Sequence, residues 1–527
     1  MRLTELWLDT EFDRWREEVR AFLRAEMAPG NVSGHTDPGD LTGLDRDFER
    51  RHHQAAARRG FVAVSLPVAD GGGGRSRAYK HVYDLEAAYH GAPSVDTGVT
   101  LCGFVLSRFG TDPQRARWLA PMVTGDTLGA IAYSEAGAGN NLAAIATTAT
   151  RDAGGWVLSG TKSHVTGAHK AEVAVVLAVT DPGGPPRSSM TMFLVPLDAP
   201  GVQVVRRPTL NGWTLGEITF TQVRLDDHCV LGETGRGWSQ VMAAVAAERG
   251  SLAYYGWAEC WLGRLPVTMS GPERARLHAS ASRVRAFSQR LIDLELADAP
   301  VGYEASVVKV TATELLQDIA RAAAAAAPPD ERGWTAMFEE GPPYVYDALE
   351  AIHPTLSVGA NETHRDMIAA ALADRDLSAA PPLPDVGDDP VLAACATMAA
   401  DARQVLALTA QHALSRPLYA KRVGEFQAAA HRFVDMAVAV EAMELTTGQA
   451  ALVPAGPPRD YLASAAKVTA NENLLDVVAG AHQLHGADGY YRDHPLAPYA
   501  RRAWAAQAQA GTTAEHLDRL ARLTTPP

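Results

Sequence analysis

The sequence predicts an α+β protein: an N-terminal α-helical domain, a middle β-barrel or sandwich domain, and two tandem C-terminal four-helix-bundle-like domains. Three observations predict it. Apolar residues recur at helical spacing over residues 1–125, β-branched alternation takes over across 126–235, and the helical remainder carries one ten-residue phrase twice. A chain of 527 residues has room for roughly three to four domains.

In the first part, Phe12, Trp15, Val19, Phe22 and Leu23 share one helical face between Glu11 and Met27, and Pro29-Gly30 is the stop. Further helices are predicted over 46–59 and 76–90, and again near Gly110, where Thr111 or Asp112 caps ahead of Pro113. Leu66 to Gly74, ending in a run of glycines, reads as a flexible loop. From Gly125 the text becomes strand-like: Gly155–Gly160, Ala171–Val179, Met190–Pro196, Val202–Val205 and Ile218–Leu225, separated by Gly, Pro and Asp turns. After Gly237-Trp238 it is helical to the end. There, Ala305-Ser-Val-Val-Lys309-Val-Thr-Ala-Thr-Glu314 recurs as Ala463-Ser-Ala-Ala-Lys467-Val-Thr-Ala-Asn-Glu472. The copies divide the half into bundles at 236–377 and 391–527, joined by a Pro/Gly/Asp-rich linker at 378–390.

Composition excludes several functions. With 47% hydrophobic and 21% charged residues the chain has the make-up of a soluble globular protein, and a net charge of −13 argues against nucleic-acid binding. Cys102, Cys229, Cys260 and Cys395 have no metal-ligand spacing, so buried free thiols in a reducing compartment are expected, and no metal. The N-terminus is acidic and amphipathic, and no run of about 18 apolar residues stands out, so no membrane contact and a cytoplasmic location are expected.

The stretch Tyr133 to Thr166 carries the chemistry. Gly137 and Gly139 let backbone approach a bulky ligand, and Lys162, His164 and Thr166 are spaced to present polar groups to something planar. This stretch resembles the flavin-binding middle domain of the acyl-CoA dehydrogenase family through Tyr133, Ser134, Glu135, Gly137, Gly139, Gly160-Thr161-Lys162 and Thr166. The second bundle is similar to the family's C-terminal segments. Arg416-Pro-Leu-Tyr419-Ala-Lys-Arg-Val423-Gly-Glu-Phe426-Gln427 keeps one spacing, and Gln483-Leu-His-Gly486-Ala-Asp-Gly489 with Gly511-Thr512 keeps another.

The resemblance implies FAD as cofactor, with Tyr133, Ser134, Gly139, His164, Thr166, Arg416, Tyr419, Gln483, Gly486, Gly489 and Thr512 as its binding residues. Arg416 would neutralise the pyrophosphate. It also implies an acyl-CoA or acyl-carrier-protein substrate touching Asn140, Val358 and Tyr255, and an electron-transfer flavoprotein or other acceptor. The first bundle lacks the arginine segment and has only a charged helix between Pro266 and Leu291. In that it is like heteromeric family members, whose second subunit completes the flavin pocket. Here the completing bundle is fused in cis, which implies a homodimer built as a pseudo-tetramer with one FAD per chain.

Dehydrogenation needs a carboxylate to take the α-proton, and most of the family places it just before a Gly-Thr near the end of the bundle. Val358 stands there in the first bundle and Ala510 in the second, and neither accepts a proton. A second placement, ahead of an arginine on the bundle's first helix, corresponds to Glu248-Arg249. Glu248 is therefore the expected base, with Arg249 orienting the substrate or helix. His164 stands where the family has Trp or Phe, and it either replaces that ring or donates a hydrogen bond. Two rival readings remain open: oxygenation or non-redox flavin chemistry on the same fold, and a non-catalytic partner protein.

Overall fold

The computed structural model describes residues 10–32, 36–37, 40–93, 96–139, 141–248, 251–328, 344–379 and 382–524. They form two compact units, which meet in sequence between Ala253 and Tyr254.

The first unit opens with α1 (Thr10–Glu26), α2 (Pro29–Val32), β1 (Thr36–Asp37), β2 (Asp40–Leu44), α3 (Arg46–Arg58) and α4 (Arg77–Tyr89). A π-helical stretch at Asp96–Cys102 leads into α5 (Gly103–Phe109), α6 (Asp112–Gln114) and α7 (Ala120–Thr124). Helix α1 buries Phe12, Trp15, Val19, Phe22 and Leu23, the residues its periodicity selected, and Trp15 meets Phe61 and Tyr79 edge-on. Thr111 caps α6 in a capping box with Gln114.

Three features differ from the expectation. A small antiparallel pair, β1 with β2, interrupts the helices. The glycine run is no open loop: Gly72, Gly73 and Gly74 donate to Pro67, Ala63 and Leu66 carbonyls, and a Cβ on Gly72 would meet Leu66 O at 2.2 Å. Absent side chains let two backbone segments close on each other there. Helix α4, finally, is buried along Ala78–Ala88 although it carries charge, and the charges pair: Arg20 Nε with Glu86 at 2.9 Å, and Lys80 with Asp84.

The middle sheet contains β3 (Gly129–Ala132), β4 (Thr148–Asp152), β5 (Gly155–Thr166), β6 (Val173–Val179), β7 (Met190–Pro196), β8 (Val202–Pro208), β9 (Thr214–Leu225) and β10 (Val230–Leu231). Its order is β10-β7-β6-β4-β5-β9-β8, with β3 beside β6. Pairing is antiparallel except for β3 and β4 against β6. Trp156, Leu158, Phe193, Val195, Ile218 and Phe220 fill its core. The first unit closes with α8 (Gly237–Glu248), which buries Val241 and Ala244 and leaves Met242 at the surface rather than in the apolar surround its sequence suggested.

The second unit is helical: α9 (Ala253–Leu262), α10 (Gly271–Leu296), α11 (Glu304–Ala326), α12 (Tyr344–Glu350), α13 (Asn361–Ala373), α14 (Pro390–Ser415), α15 (Gln427–Leu452), α16 (Pro457–His485), α17 (Ala497–Ala506) and α18 (Thr513–Thr524). A hairpin of β11 (Pro417–Leu418) and β12 (Lys421–Arg422) follows α14. The repeated phrase falls on α11 and α16, equivalent positions of two helical sets. Each set seats its last helix on the other: α18 packs on α10, and α13 packs on α15. The linker is seated too, with Pro384 against Gly448 of α15.

Helix α14 is long and apolar enough by composition to cross a membrane, with an 18-residue window of mean hydropathy 1.4, although Asp401 and Arg403 interrupt its apolar residues. Its apolar residues are used inside the bundle: Leu392, Met398, Val405 and Leu406 are buried, and Arg403 forms a buried pair with Glu444 of α15. Cys102 and Cys395 are buried as expected and burial pushes Cys395 up to about 12, whereas Cys229 and Cys260 are only half-buried.

Burial of neutral histidines sets the acid sensitivity. His52, His53, His278 and His485 are each pulled by desolvation from 6.5 to about 4. A histidine whose folded value lies below its unfolded one contributes stability above pH 6.5 and loses it as pH falls toward 4. Burial raises Asp347 to about 6 and Glu441 to about 7, which has the opposite sign, but two acids offset only part of four histidines. The urea midpoint is expected to fall steadily from pH 6.5 to 4.5; a flat midpoint across that window would contradict these burials.

Candidate functional site

The two halves of the Tyr133–Thr166 stretch lie side by side. Ser163 N donates to Ser134 O at 3.0 Å, and Lys162 Nζ donates to Tyr133 O at 3.0 Å and Glu135 Oε1 at 2.8 Å. Glu135 also accepts from the backbone N–H of Ala146 at 2.7 Å and of Thr147 at 3.0 Å. Burial works to raise Glu135, but Lys162 and these N–H donors outweigh it and hold the carboxyl below its usual range. Burial pulls Lys162 down to about 8, with Glu135 pulling back. Both residues are thus internal struts of one wall, built from the Tyr133–Glu135 segment and β5.

A bulge turns the exposed end of β5. Lys162 pairs with Ile218 and Val165 with Gly216, so β5 carries one extra residue, and His164 adopts φ 59 within it. His164 and Thr166 are exposed as a result, with His164 Nδ1 at 3.0 Å from Ser163 Oγ. Ser134 and Gly139 are exposed as well, while Tyr133 is buried. Gly160 closes the wall from behind: its φ is 144, and a Cβ there would meet Thr147 Oγ1 at 2.5 Å. Gly160→Ala is expected to destabilise the first unit by about 1–3 kcal/mol through strain and overpacking. Urea unfolding followed at Trp156 measures it, and an unchanged midpoint would show that Thr147 yields freely.

In the second unit, Arg416 is the C-cap of α14 and pairs with Asp488 at 3.6 Å, which ties the β11–β12 hairpin to the turn Gly486–Tyr490 after α16. Tyr419 sits at the hairpin tip with φ 54 and is 94% exposed. Gln483 and Gly486 are exposed, and Gly486 has φ 64. Gly489 departs from expectation: it is buried, and a Cβ would meet His485 Cβ at 2.8 Å, so its missing side chain serves the turn's own packing. Thr512 caps α18, its N–H and hydroxyl both directed at Glu515 Oε2 (2.7 and 3.1 Å). Tyr255, expected to touch substrate, is instead fully buried among Glu259, Arg285 and Tyr461. Nothing in its spacing separated a core tyrosine from a lining one.

Where the usual glutamate is missing, the two helical sets share one construction. Val358 has φ 56 and Ala510 φ 59, each followed by a positive-φ glycine, Gly359 or Gly511. The carbonyl of Val358 accepts from His364 Nε2 at 3.1 Å, and that of Ala510 from His516 Nε2 at 2.9 Å. Val358 is half-buried. Helix α8 ends at Glu248; the Glu248 side chain, Arg249 and Asn140 lie outside the described residues.

Matches to known proteins follow the same layout. Family models for the acyl-CoA dehydrogenase N-terminal, middle and C-terminal domains fall on residues 9–126, 130–227 and 392–524. The chain belongs to the acyl-CoA dehydrogenase family. The C-terminal model falls on the second helical set, which carries Arg416 and Gln483. Acyl-CoA dehydrogenase IpdE1 of Mycobacterium tuberculosis is 34% identical over 242 residues, which cover 44% of this chain and 63% of that protein. The chain thus spans less than two thirds of that relative's length. Among solved structures, an acyl-CoA dehydrogenase complexed with FAD from Bacillus anthracis matches 98% of this chain and 94% of that one, with TM-score 0.80 and 17% identity. A variant of the Tcur3481-Tcur3483 steroid acyl-CoA dehydrogenase matches 68% of this chain and 98% of that one, with TM-score 0.59 and 26% identity.

Members of this family bind FAD, and the residues of this chain fit it. Gly139 and Gly486 both hold left-handed backbone, and a Cβ at either would meet nothing within 4 Å, leaving open backbone for a ligand. Thr166 and Ser134 offer exposed hydroxyls, and Arg416 offers a half-exposed guanidinium suited to a pyrophosphate.

Proposed function

We propose that the protein dehydrogenates an acyl thioester between its α- and β-carbons, with Glu248 as the α-proton base. One observation carries this reading: the loops at Val358 and Ala510, where the family resemblance places the base, share one left-handed backbone form, and both positions lack a carboxylate. The carboxylate must then come from elsewhere, and Glu248, the last residue of α8, is the candidate with an apolar helix behind it. Arg249 would orient the substrate. Thr166, Arg416 and Gly486 would help to hold FAD, which would supply the hydride acceptor for the β-carbon. The Val358 loop would hold the thioester oxygen through backbone N–H, which needs no particular side chain.

The second bundle (391–527) takes the place of a partner subunit against the first (236–377), through a duplication marked by the repeated phrase. Arg365 of α13 pairs with Asp435 of α15 at 2.9 Å, and Asp366 accepts from Gln427 at 3.2 Å and His431 at 2.7 Å. These contacts bring the Phe426-Gln427 segment against the helix that follows Val358. We read one FAD per chain, a homodimer in solution, and an electron-transfer flavoprotein as acceptor. The likeness to a steroid acyl-CoA dehydrogenase favours a bulky, ring-bearing acyl group on CoA over a carrier-protein substrate.

Anaerobic flavin bleaching tests the reaction class. Butyryl-CoA, octanoyl-CoA and a steroid carboxyl-CoA are added to the yellow protein at equal concentration. The steroid thioester is expected to bleach it fastest, and bleaching by none of the three would refute the dehydrogenase reading.

A further inference from the structure

The repeat that first marked the two helical sets has a common purpose in both, and it points at the loop. Lys309 of α11 is buried, donates to Gly359 O at 2.8 Å and to Asn361 Oδ1 at 2.7 Å, and among the described residues reaches no carboxylate at ion-pair distance. Asn361 bonds Thr313 Oγ1 at 3.2 Å through its amide nitrogen. In the second set the lysine, Lys467, bonds Asn471 of its own helix, and Asn471 Nδ2 donates to Thr513 Oγ1 at 3.2 Å. Helix and loop have therefore exchanged residues. The first set has Thr313 on the helix and Asn361 after the loop; the second has Asn471 on the helix and Thr513 after the loop. A lysine–asparagine–threonine group joins the same two elements either way. Two independent sequence solutions to one contact mean that the contact matters more than either residue.

The loop needs such support. Val358 is β-branched and sits at φ 56, a strained conformation that persists only where surroundings impose it. His364 imposes it on one side. Val358 O can only accept, so Nε2 carries the proton at 3.1 Å, and Nδ1 is left to accept from Ser306 Oγ at 3.0 Å. Lys309 holds the next carbonyl, that of Gly359. In a planar trans peptide C=O and N–H point in opposite directions, so fixing these two carbonyls also fixes the directions of the Gly359 and Ala360 N–H groups. With φ set at Val358, the N–H of Val358 is oriented as well.

We infer that Lys309, Asn361 and His364 are positioning residues for the reaction: they hold the Val358–Ala360 backbone so that its N–H groups can serve the thioester oxygen. The second set retains the histidine bond to the Ala510 carbonyl and the lysine–asparagine–threonine link, with Lys467 reaching Ala506 O at 3.4 Å and not the Gly511 carbonyl, and there they serve the fold alone. This inference rests on the proposed function for its catalytic half and on the structure for its mechanical half.

Matched substitutions in the two sets separate the halves. Lys309→Met and His364→Leu are compared with Lys467→Met and His516→Leu, all as full-length FAD-loaded protein. The thioester is whichever of butyryl-, octanoyl- or steroid carboxyl-CoA bleaches the wild type fastest. The first pair is expected to lose roughly 10²-fold in kcat with KM moved far less, since a small displacement of an orienting group costs about that much. The second pair is expected to lower Tm as much and leave kcat within about twofold of wild type, as loss of a purely structural contact should. His364→Gln, which keeps a donor at the Nε2 position, is expected to recover most of the rate. Equal loss of kcat in both pairs, or no loss in the first, would overturn the positioning role.

Hydrogen exchange gives an arm that needs no activity. The segment 356–363 should exchange at least about tenfold faster in Lys309→Met and His364→Leu than in wild type, and unchanged exchange would overturn the brace itself. If no thioester bleaches the wild type while exchange still rises, the proposed reaction fails and the brace stands.

Discussion

Glu248→Gln is expected to lower the rate of flavin bleaching by roughly 10²–10⁴-fold while leaving FAD bound, the range lost when a general base is removed. Glutamine is nearly isosteric, so thioester binding should persist and the loss should fall on kcat. Single-turnover bleaching under anaerobic conditions checks it. A Glu248→Gln protein that bleaches at the wild-type rate would take Glu248 out of the mechanism. Restoring a carboxylate at the vacated position probes the same logic from the other side. Val358→Glu in a Glu248→Gln background would recover rate only if the Val358 loop faces the α-carbon.

Arg416→Ala should weaken FAD by roughly 10–100-fold, the value of a charge-assisted hydrogen bond of about 1.5–3 kcal/mol. Its present partner, Asp488, is 57% exposed at 3.6 Å, so little stability is lost with that pair and the folded protein should survive the change. Equilibrium titration of the apoprotein with FAD reads the affinity, and Tm without FAD serves as the control. An unaltered affinity would mean that Arg416 is a surface cap of α14 and no part of the flavin site.

Much of the fold was legible because periodicity is local. The face of α1, the cap at Thr111 and the strands from Val173 to Leu225 all follow from residues within a turn or two of one another. What escaped depends on contacts distant in sequence. The buried charges of α4 find partners such as Arg20, 66 positions away from Glu86. The apolar face of α14 reads like a membrane span until α15 and α16 cover it. At the site, the flavin phrase named the wall, but the bulge that exposes His164 depends on pairing with Ile218 and Gly216 of β9. The repeat was visible as text, yet its bracing of the Val358 loop was not, because Asn361 lies 52 positions from Lys309 and has changed places with a threonine in the other copy. Tyr255 shows the reverse case, an aromatic residue expected at the substrate that lies fully buried beside Glu259, Arg285 and Tyr461.

The proposed duplication would also account physically for one flavin site per chain. Arg276 and Arg283 of α10 pair with Glu472 and Asn473 of α16, so the helix that lacks the arginine segment serves as a packing surface for the second set. Arg365, Asp366, Gln427, His431 and Asp435 occupy the corresponding seam between α13 and α15, where the flavin-type segment survives.

The most direct measurement is therefore the FAD-to-chain ratio of the purified protein, from flavin absorbance after denaturation against protein by amino-acid analysis. One FAD per chain is the predicted result. Two per chain would mean that both helical sets complete a flavin site and would contradict the account.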